Sequence, residues 1–221
     1  MVLAWPELFP PVGLVLRVGD GLELRYATDD LLSAVAEVAH DGVHDMSWTP
    51  FGQPWANADP IDRARSVIKW NWAVRSRFTA EDWTLAFAVL DHGQVVGLQD
   101  LGGRAFAVCR EVHTGSWLGM AHQGRGIGTR MRRAVLSFAF DHLGALSATS
   151  GAWKDNAASQ RVSEKIGYLP DGEDVELVRG ERREGLRYRL TVERWRSSGH
   201  RAVEVEGLGD ACREALGASA A

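Results

Sequence analysis

The sequence predicts a mixed α/β (α+β) fold, a single domain with a mostly antiparallel central sheet flanked by helices. Two apolar runs at residues 83–90 and 94–101 are joined by an Asp-His-Gly turn, which is the pattern of a β-hairpin. A second pair of alternating runs, at residues 175–179 and 186–192, predicts another hairpin. Segments with one apolar helical face lie between the hairpins, so helices and strands are expected to share one core.

Length and composition set the class of protein. The chain has 221 residues, of which 45% are hydrophobic and 24% are charged. These values suit one globular domain and exclude a largely disordered or fibrous protein. The formal net charge of −4 gives no overall basic field, so we expect neither a nucleic acid nor a membrane as a partner.

Cysteine content and hydropathy indicate the compartment. The two cysteines, Cys109 and Cys212, are too few for a disulfide framework or a cysteine zinc site, and we expect no metal. No apolar run approaches the roughly 18 residues that a membrane helix needs. Residues 1–11 lack the charged region and the cleavage site of a signal peptide. We therefore expect a soluble, cytoplasmic protein.

The elements of the N-terminal half follow in order. Residues 22–27 alternate as in a strand, and Thr28 can cap the amphipathic helix that follows. Residues 41–58 are rich in Gly, Pro, Asp and aromatic residues without a sustained period, which predicts a long loop of the kind that is often functional. Asp59-Pro60 is a signal for the start of the next helix, which precedes the first hairpin.

Further elements are predicted in the C-terminal half: strands at 112–119, 145–150 and 203–206, and helices from the glycine-rich segment to 143, at 156–166 and at 210–216. We see no internal repeat and no linker. The chain is therefore divided into an N-terminal arm (1–21), one domain (22–195) and a C-terminal tail (196–221). Because the strand at 203–206 could add to the sheet edge of a partner, we expect a homodimer.

Tryptophan is over-represented, with nine residues in the chain, and several of them gather in one region. Five of them lie close together in the sequence: Trp48, Trp55, Trp70, Trp72 and Trp83. They indicate either core and surface packing or an aromatic wall around an acceptor pocket.

A glycine-rich turn carries the chemistry. It connects a predicted strand to a predicted helix and reads Gln123-Gly124-Arg125-Gly126-Ile127-Gly128. Glycine permits positive φ and close approach of a ligand, and the N–H groups at a helix N-terminus bind anions such as a pyrophosphate. Thr129 stands where a dinucleotide fingerprint needs glycine, and no Gly-Lys-Ser/Thr follows as in a P-loop.

The turn resembles the Q/R-x-x-G-x-G/A pyrophosphate loop of the GNAT acyltransferases, which bind acyl-CoA. Thirty residues later a second segment, which includes Asn156-Ala157-Ala158-Ser159, Val162, Glu164-Lys165 and Gly167-Tyr168, resembles the second signature of the family in its RimJ/RimL-type branch. That branch acetylates the N-termini of ribosomal proteins. The resemblance covers residues 22–195, and the tail and the loop at 41–58 also resemble an actinobacterial subgroup with suspected use of succinyl-CoA.

The resemblance implies a binding site for acyl-CoA in a sheet that is splayed between residues 112–119 and 145–150. The pantetheine arm would pair with the strand backbone at Ser116, Trp117 and Leu118. The pyrophosphate would lie on the segment Gln123 to Thr129. Arg125 and Arg130 would either add positive charge beside the pyrophosphate or lie on the solvated surface. Asn156 either meets the pantetheine or caps its helix.

The expected reaction is direct acyl transfer from a thioester to an amine, which must first lose a proton. A backbone N–H near Leu118 would stabilise the oxyanion. By the resemblance, Ser159 would donate a hydrogen bond to the leaving thiolate; otherwise it is a helix-surface serine. The aromatic loop supplies three candidates for the acceptor pocket: His44, Asp45 and Trp48.

The sequence departs from the family pattern at two positions, so the resemblance does not identify the general acid or the general base. Ser163 stands where many relatives carry a tyrosine acid, and Gly151 stands where others carry a glutamate base. Glu111 and His113 lie near the place that another branch uses for its base, and histidine has a suitable intrinsic pKa. Glu176 is a lesser candidate.

The expected activity is the transfer of an acetyl group from acetyl-CoA to a protein N-terminus, a peptide or a small amine. The alternative donor is succinyl-CoA, whose carboxylate would need a recess that Arg104 or Arg110 could reach. An alternative of another class is a catalytically degenerate CoA-binding sensor, which the missing tyrosine and glutamate make credible.

Overall fold

A nine-stranded sheet runs through the part of the chain that the computed structural model describes, residues 4–218. The outer ends of the arm and the tail, residues 1–3 and 219–221, lie outside the described residues. The strand order is β7-β8-β6-β5-β4-β3-β2-β1-β9. The strands are β1 (Val15–Gly19), β2 (Leu22–Tyr26), β3 (Asp82–Asp91), β4 (Gln94–Arg104), β5 (Glu111–Leu118), β6 (Ser147–Trp153), β7 (Leu169–Val178), β8 (Glu181–Thr191) and β9 (Glu204–Glu206).

Helices cover both faces of the sheet. They are α1 (Trp5–Leu8), α2 (Asp29–Asp41), α3 (Pro60–Ser76), α4 (Phe106–Cys109), α5 (Ile127–Ser137), α6 (Ala157–Ile166), α7 (Val192–Ser197) and α8 (Asp210–Ala215). Successive side chains of a strand point to opposite faces. On β3, Phe87 and Val89 therefore pack in the core that contains α5, whereas Ala86 and Ala88 pack in the core that contains α2 and α3.

The sheet parts between β5 and β6. These two strands form the single parallel pairing found within residues 4–218, and it extends over three residue pairs, from Glu111↔Ser147 to His113↔Thr149. Beyond His113 the two strands diverge. The other pairings are antiparallel, which confirms the predicted mixed α/β fold with a mostly antiparallel, splayed sheet.

Two flanking segments contribute strands that the sequence did not place in this sheet. Residues 15–19, predicted as part of an arm, form β1, which pairs with β2. The strand predicted to add to a partner is β9, and it pairs with β1 of the same chain. The strand that suggested a homodimer is therefore already paired within the chain, and the homodimer stays a prediction. The division of the chain into arm, domain and tail also stays a prediction.

Element boundaries differ modestly from the predicted ones. Helix α5 ends at Ser137 and continues as a π-helical turn over Phe138–His142. Strand β7 begins at Leu169, well before the predicted start, because residues 169–170 and 173–174, on either side of a register shift, also pair with β8. Among residues 4–218 we find no helical segment with the length and hydropathy of a membrane span.

A buried arginine holds the long loop between α2 and α3. The Arg63 side chain is 6% exposed and donates from Nε to the carbonyl oxygen of Ala39 at 2.5 Å and from Nη2 to that of His40 at 2.6 Å. These are carbonyls of the last turn of α2, where backbone donors run out; that of Ala39 also accepts the Gly42 N–H at 3.1 Å. Nη1 donates to the carbonyl oxygen of Ala56 at 3.2 Å, so one side chain joins α2, α3 and the loop.

We expect Arg63→Met to lower the free energy of unfolding by about 3 kcal/mol, because it removes three hydrogen bonds that a buried, charged side chain donates to carbonyl oxygens. The control is Arg65→Met, which removes an exposed ion pair with Asp62 on the same helix and should change stability by no more than about 0.5 kcal/mol. Urea unfolding monitored by tryptophan fluorescence measures both. Equal stability of the two variants would contradict the role of Arg63.

Candidate functional site

The divergence of β5 from β6 opens a cleft of about 890 Å³. One end of the cleft is bounded by the glycine turn, α5 and α6, and the other end by the loop between α2 and α3. Strand β5 runs between the two ends. The cleft can therefore admit one ligand along the strand edge and a second ligand from the loop side.

The exposed edge of β5 carries backbone donors. Gly119 donates its N–H to Val96 at 3.0 Å, and the Gly115 N–H donates to the Asp100 carboxylate at 2.7 Å, so both point toward β4. N–H directions alternate along a strand. The N–H groups of Ser116 and Leu118 therefore point to the other edge, into the cleft. They can pair with an extended ligand, and they can stabilise an oxyanion.

The glycine turn leads from this edge to the N-terminus of α5. Gly124 and Gly126 adopt φ of +74° and +78°, and Gly126 is the N-cap residue, with no side-chain hydrogen bond capping the helix. The first N–H groups of a helix lack partners within it. Gly128 and Thr129 line the cleft beside these donors. The arrangement fits the phosphate site that the sequence predicted.

Not every residue of the predicted loop faces the cleft. Arg125 pairs with Asp91 at 3.1 Å, Arg130 donates to the carbonyl oxygen of Gly19 at 2.9 Å, and Ile127 is buried in the core. The Gln123 amide donates to the carbonyl oxygens of Val43 and Leu118 at 2.8 and 2.9 Å. Gln123 thus ties the loop after α2 to the end of β5. Two cations that sequence reasoning missed, on α6, line the cleft: Arg161 and Lys165.

Asn156 and Ser159 meet at the start of α6. The Asn156 Oδ1 atom accepts a hydrogen bond from the Ser159 backbone N–H at 3.1 Å, which is a helix cap. Both residues line the cleft, so capping does not remove them from the site. Their predicted contacts with the pantetheine and with the leaving thiolate stay predictions.

The structure does not bring the two predicted bases into the cleft. Glu111 accepts a hydrogen bond from Ser147 at 2.6 Å and pairs with Arg189. His113 is exposed and packs over Gly102. Both line a separate cavity of about 320 Å³, which Cys109 and Arg104 also line. The two residues were expected to act as bases because they lie near the strand position that another branch of the family uses. The cleft, however, opens further along the strand.

The recess proposed for a succinyl group does not form around the predicted arginines. Arg104 lines the separate cavity. Arg110 donates to the carbonyl oxygen of Leu143 at 3.4 Å and lies over the ring of Phe106. Neither side chain is among those that line the cleft.

The tryptophans divide between the two predicted roles. Trp83 is a core residue at 1% exposure, and Trp72 is exposed. In contrast, Trp48, Trp55 and Trp70 line the loop end of the cleft. Of the other acceptor-pocket candidates, His44 also lines it, whereas Asp45 is exposed and accepts a hydrogen bond from the Ser47 N–H at 2.8 Å. Glu176 lines the cleft at its rim.

Besides Arg161 and Lys165, sequence reasoning missed two further charged residues in the cleft, Asp100 and Arg132. The Arg132 guanidinium is 5% exposed and donates to the hydroxyls of Ser116, Ser150 and Ser163 at 3.1, 3.1 and 3.3 Å. Burial lowers the pKa of Arg132 and raises the pKa of Asp100. Both could have been found from the sequence, because a charged residue inside an apolar strand or on the apolar face of a helix indicates a functional role.

The comparison with known families agrees with this geometry. A family model described as "Acetyltransferase (GNAT) domain" matches residues 22–169, about two thirds of the chain. The chain belongs to the GNAT acetyltransferase family. It is therefore an acyl-CoA-dependent N-acetyltransferase, and acyl-CoA is the ligand that suits the strand edge and the glycine turn of the cleft.

Solved structures of other GNAT acetyltransferases share the fold. Mycobacterium smegmatis RimJ in complex with CoA-disulfide is 20% identical, with a TM-score of 0.65 over 88% of this chain and 98% of that one. RimL, a ribosomal L7/L12 alpha-N-protein acetyltransferase, in complex with coenzyme A is 18% identical, with a TM-score of 0.64 over 80% and 97%. A Salmonella typhimurium acetyltransferase that modifies the N-terminal serine of L7/L12 is 17% identical, with a TM-score of 0.64 over 80% and 98%.

We expect Gly126→Ala to weaken the binding of CoA at least about 10-fold. Alanine disfavours positive φ by roughly 1–2 kcal/mol, so the turn rearranges and its N–H groups no longer converge on the phosphates. The matched control is Gly144→Ala, because Gly144 also has positive φ, +75°, and open space around it, as Gly126 does. Calorimetric titration with CoA measures both variants. Similar loss of affinity in both would argue against the turn as the phosphate site.

Proposed function

We propose that this acetyltransferase moves an acetyl group from acetyl-CoA directly to a primary amine, either a protein or peptide N-terminus or a small amine. The observation that carries the proposal is the exposed edge of β5, which leads to the uncapped N-terminus of α5. An extended pantetheine arm can pair with the backbone at Ser116 to Leu118 while its pyrophosphate lies on the glycine turn. RimL and the Salmonella typhimurium acetyltransferase, which acetylate protein α-amines, support this acceptor class.

The reacting groups follow from this placement. The thioester carbonyl lies near the Ser116 N–H, which stabilises the tetrahedral oxyanion. Ser159, in the first turn of α6, donates to the thiolate as the carbon–sulfur bond breaks. The amine enters from the loop side, between the aromatic residues. Within the described residues we find no cluster of metal-ligating side chains.

Acetyl-CoA is proposed as donor in preference to succinyl-CoA. The buried cation that lines the cleft is Arg132, and its two Nη atoms donate to three serine hydroxyls. Arg104 and Arg110 lie elsewhere. The other cations that line the cleft, Arg161 and Lys165, belong to α6, which bounds the end of the cleft with the glycine turn, so we assign them to the CoA moiety and not to a succinyl carboxylate.

The proposal is tested by titrating the protein with acetyl-CoA and with succinyl-CoA in one buffer, then assaying release of free CoA with peptides and small amines. We expect acetyl-CoA to bind at least as tightly as succinyl-CoA and to be consumed in the presence of an amine. Clearly tighter binding of succinyl-CoA would show that succinyl-CoA, and not acetyl-CoA, is the donor. Tight binding without turnover of any amine would favour a CoA-binding sensor.

Ser159→Ala should lower kcat about 10-fold or more and leave the Kd of acetyl-CoA nearly unchanged, because the hydroxyl acts on the leaving thiolate in the transition state. Ser76→Ala, a helix serine whose hydroxyl donates to the carbonyl of Ala73, is the control and should match the wild type. If kcat survives in Ser159→Ala, the hydroxyl has no part in thiolate departure.

A further inference from the structure

Asp100 lies where an incoming amine would meet the thioester. In the β4–β5 register Asp100 is paired with Gly115, next to Ser116. The carboxylate reaches across β5 because position 115 is glycine: a Cβ there would come within 2.6 Å of Asp100 Oδ2. The Gly115 N–H donates to Asp100 Oδ1 at 2.7 Å and fixes the orientation of the carboxylate. A carboxylate is therefore held one residue from the proposed oxyanion donor.

Strand geometry places this carboxylate on the acceptor side. Asp100 and Leu98 lie on one face of β4, and Leu98 packs in the core formed with α2 and α3. Arg132 approaches from α5, on the opposite face. The Asp100 carboxylate therefore faces the end of the cleft that the loop between α2 and α3 closes, where the amine enters.

The surroundings of Asp100 favour proton uptake. Burial raises the pKa of the Asp100 carboxyl, although His113 on β5, the Gly115 N–H and Arg132 on α5 act in the other direction. The remaining ionisable groups that line the cleft are His44 in the loop, Glu176 on β7, and Arg161 and Lys165 on α6. A carboxylate whose pKa is raised is a stronger base, and hence a more effective general base, once it is ionised.

A row of aromatic rings leads from the loop to this carboxylate. Trp117, on the same face of β5 as Gly115, lies 5.7 Å from Trp55, which lies 5.0 Å from Phe51 (ring centroids). The row continues through His44, 6.0 Å from Phe51, to Trp48, 6.3 Å from His44. Aromatic faces attract cations and bury apolar groups. The row thus suits an ammonium group on an apolar stem.

We propose that Asp100 binds and deprotonates the acceptor, and that the aromatic row selects a primary ammonium carried by an apolar or aromatic group. The proposal rests on the acetyl-transfer function above. Asp100 takes one proton from the ammonium, and the freed nitrogen lone pair attacks the thioester carbon. The carbon–sulfur bond breaks with its electron pair on sulfur, and the second nitrogen proton ends on the thiolate. The products are an amide and free CoA, and Asp100 returns its proton to water.

The first experiment compares Asp100→Asn with the wild type and with Glu176→Gln, which removes the other carboxylate that lines the cleft. Asn keeps the acceptor for the Gly115 N–H, and because the charged carboxylate is disfavoured by burial, the variant should fold. We expect kcat with 2-phenylethylamine to fall about 100-fold in Asp100→Asn, while the Kd of acetyl-CoA is retained.

The pH profile separates a base from a structural residue. In Asp100→Asn the remaining rate should rise with pH in proportion to the unprotonated amine, so the gap to the wild type narrows as pH increases. In the wild type the rate levels off once Asp100 is ionised. A constant ratio between the wild-type and Asp100→Asn rates at every pH would overturn the proposal. So would loss of the wild-type pH profile in Glu176→Gln or His113→Gln and its retention in Asp100→Asn. Failure of the wild type to bind acetyl-CoA would instead defeat the proposed function.

The second experiment tests the aromatic row by comparing kcat/KM for 2-phenylethylamine and ethanolamine. We expect a preference of about 10-fold or more for 2-phenylethylamine, because an apolar pocket discriminates by the apolar surface it buries. Trp55→Leu should reduce this preference, whereas Trp72→Leu, which changes an exposed tryptophan outside the cleft, should keep it. Equal kcat/KM for the two amines, or the same preference in Trp55→Leu as in the wild type, would overturn the selectivity.

Discussion

The parting of β5 from β6 is the constraint on which the rest of the structure depends. A strand that loses its neighbour exposes backbone N–H and C=O groups, and leaving such groups unpaired in a protein interior is costly. Here the loss falls on the residues after His113, so the N–H groups of Ser116 and Leu118 face a cleft and not a neighbouring strand. An extended ligand with its own amide groups can restore the missing pairing.

The separation is held by side chains from both strands and from the helices behind them. The Arg132 guanidinium donates to serines of β5, β6 and α6 at once, so it spans the split from below. Burying a guanidinium without a paired carboxylate is costly, and the serine hydroxyls that accept from its two Nη atoms lower that cost. On the loop side Gln123 fixes the end of β5 and Arg63 fixes the loop itself. The cleft is thus preorganised at both ends.

The glycine turn, its neighbouring strand and the two hairpins could be predicted because local sequence fixes them. Positive φ at Gly124 and Gly126 and an apolar face on α5 are properties of a few consecutive residues. Placement of the general base could not be predicted in the same way. Strand parity put His113 on the correct face, but the distance along the strand at which β6 leaves β5 depends on packing between distant elements. Asp100 was missed for a related reason, since its role depends on the register that sets it opposite Gly115.

The most direct test of the account is a crystal structure of the protein in complex with acetyl-CoA. The account predicts that the pantetheine pairs with the edge of β5 at Ser116 and Leu118, and that the pyrophosphate contacts the N–H groups between residues 124 and 129. It also predicts that the Asp100 carboxylate faces the thioester carbon from the loop side. Acetyl-CoA bound outside the split between β5 and β6 would contradict the central claim, as would a thioester that lies remote from Ser116.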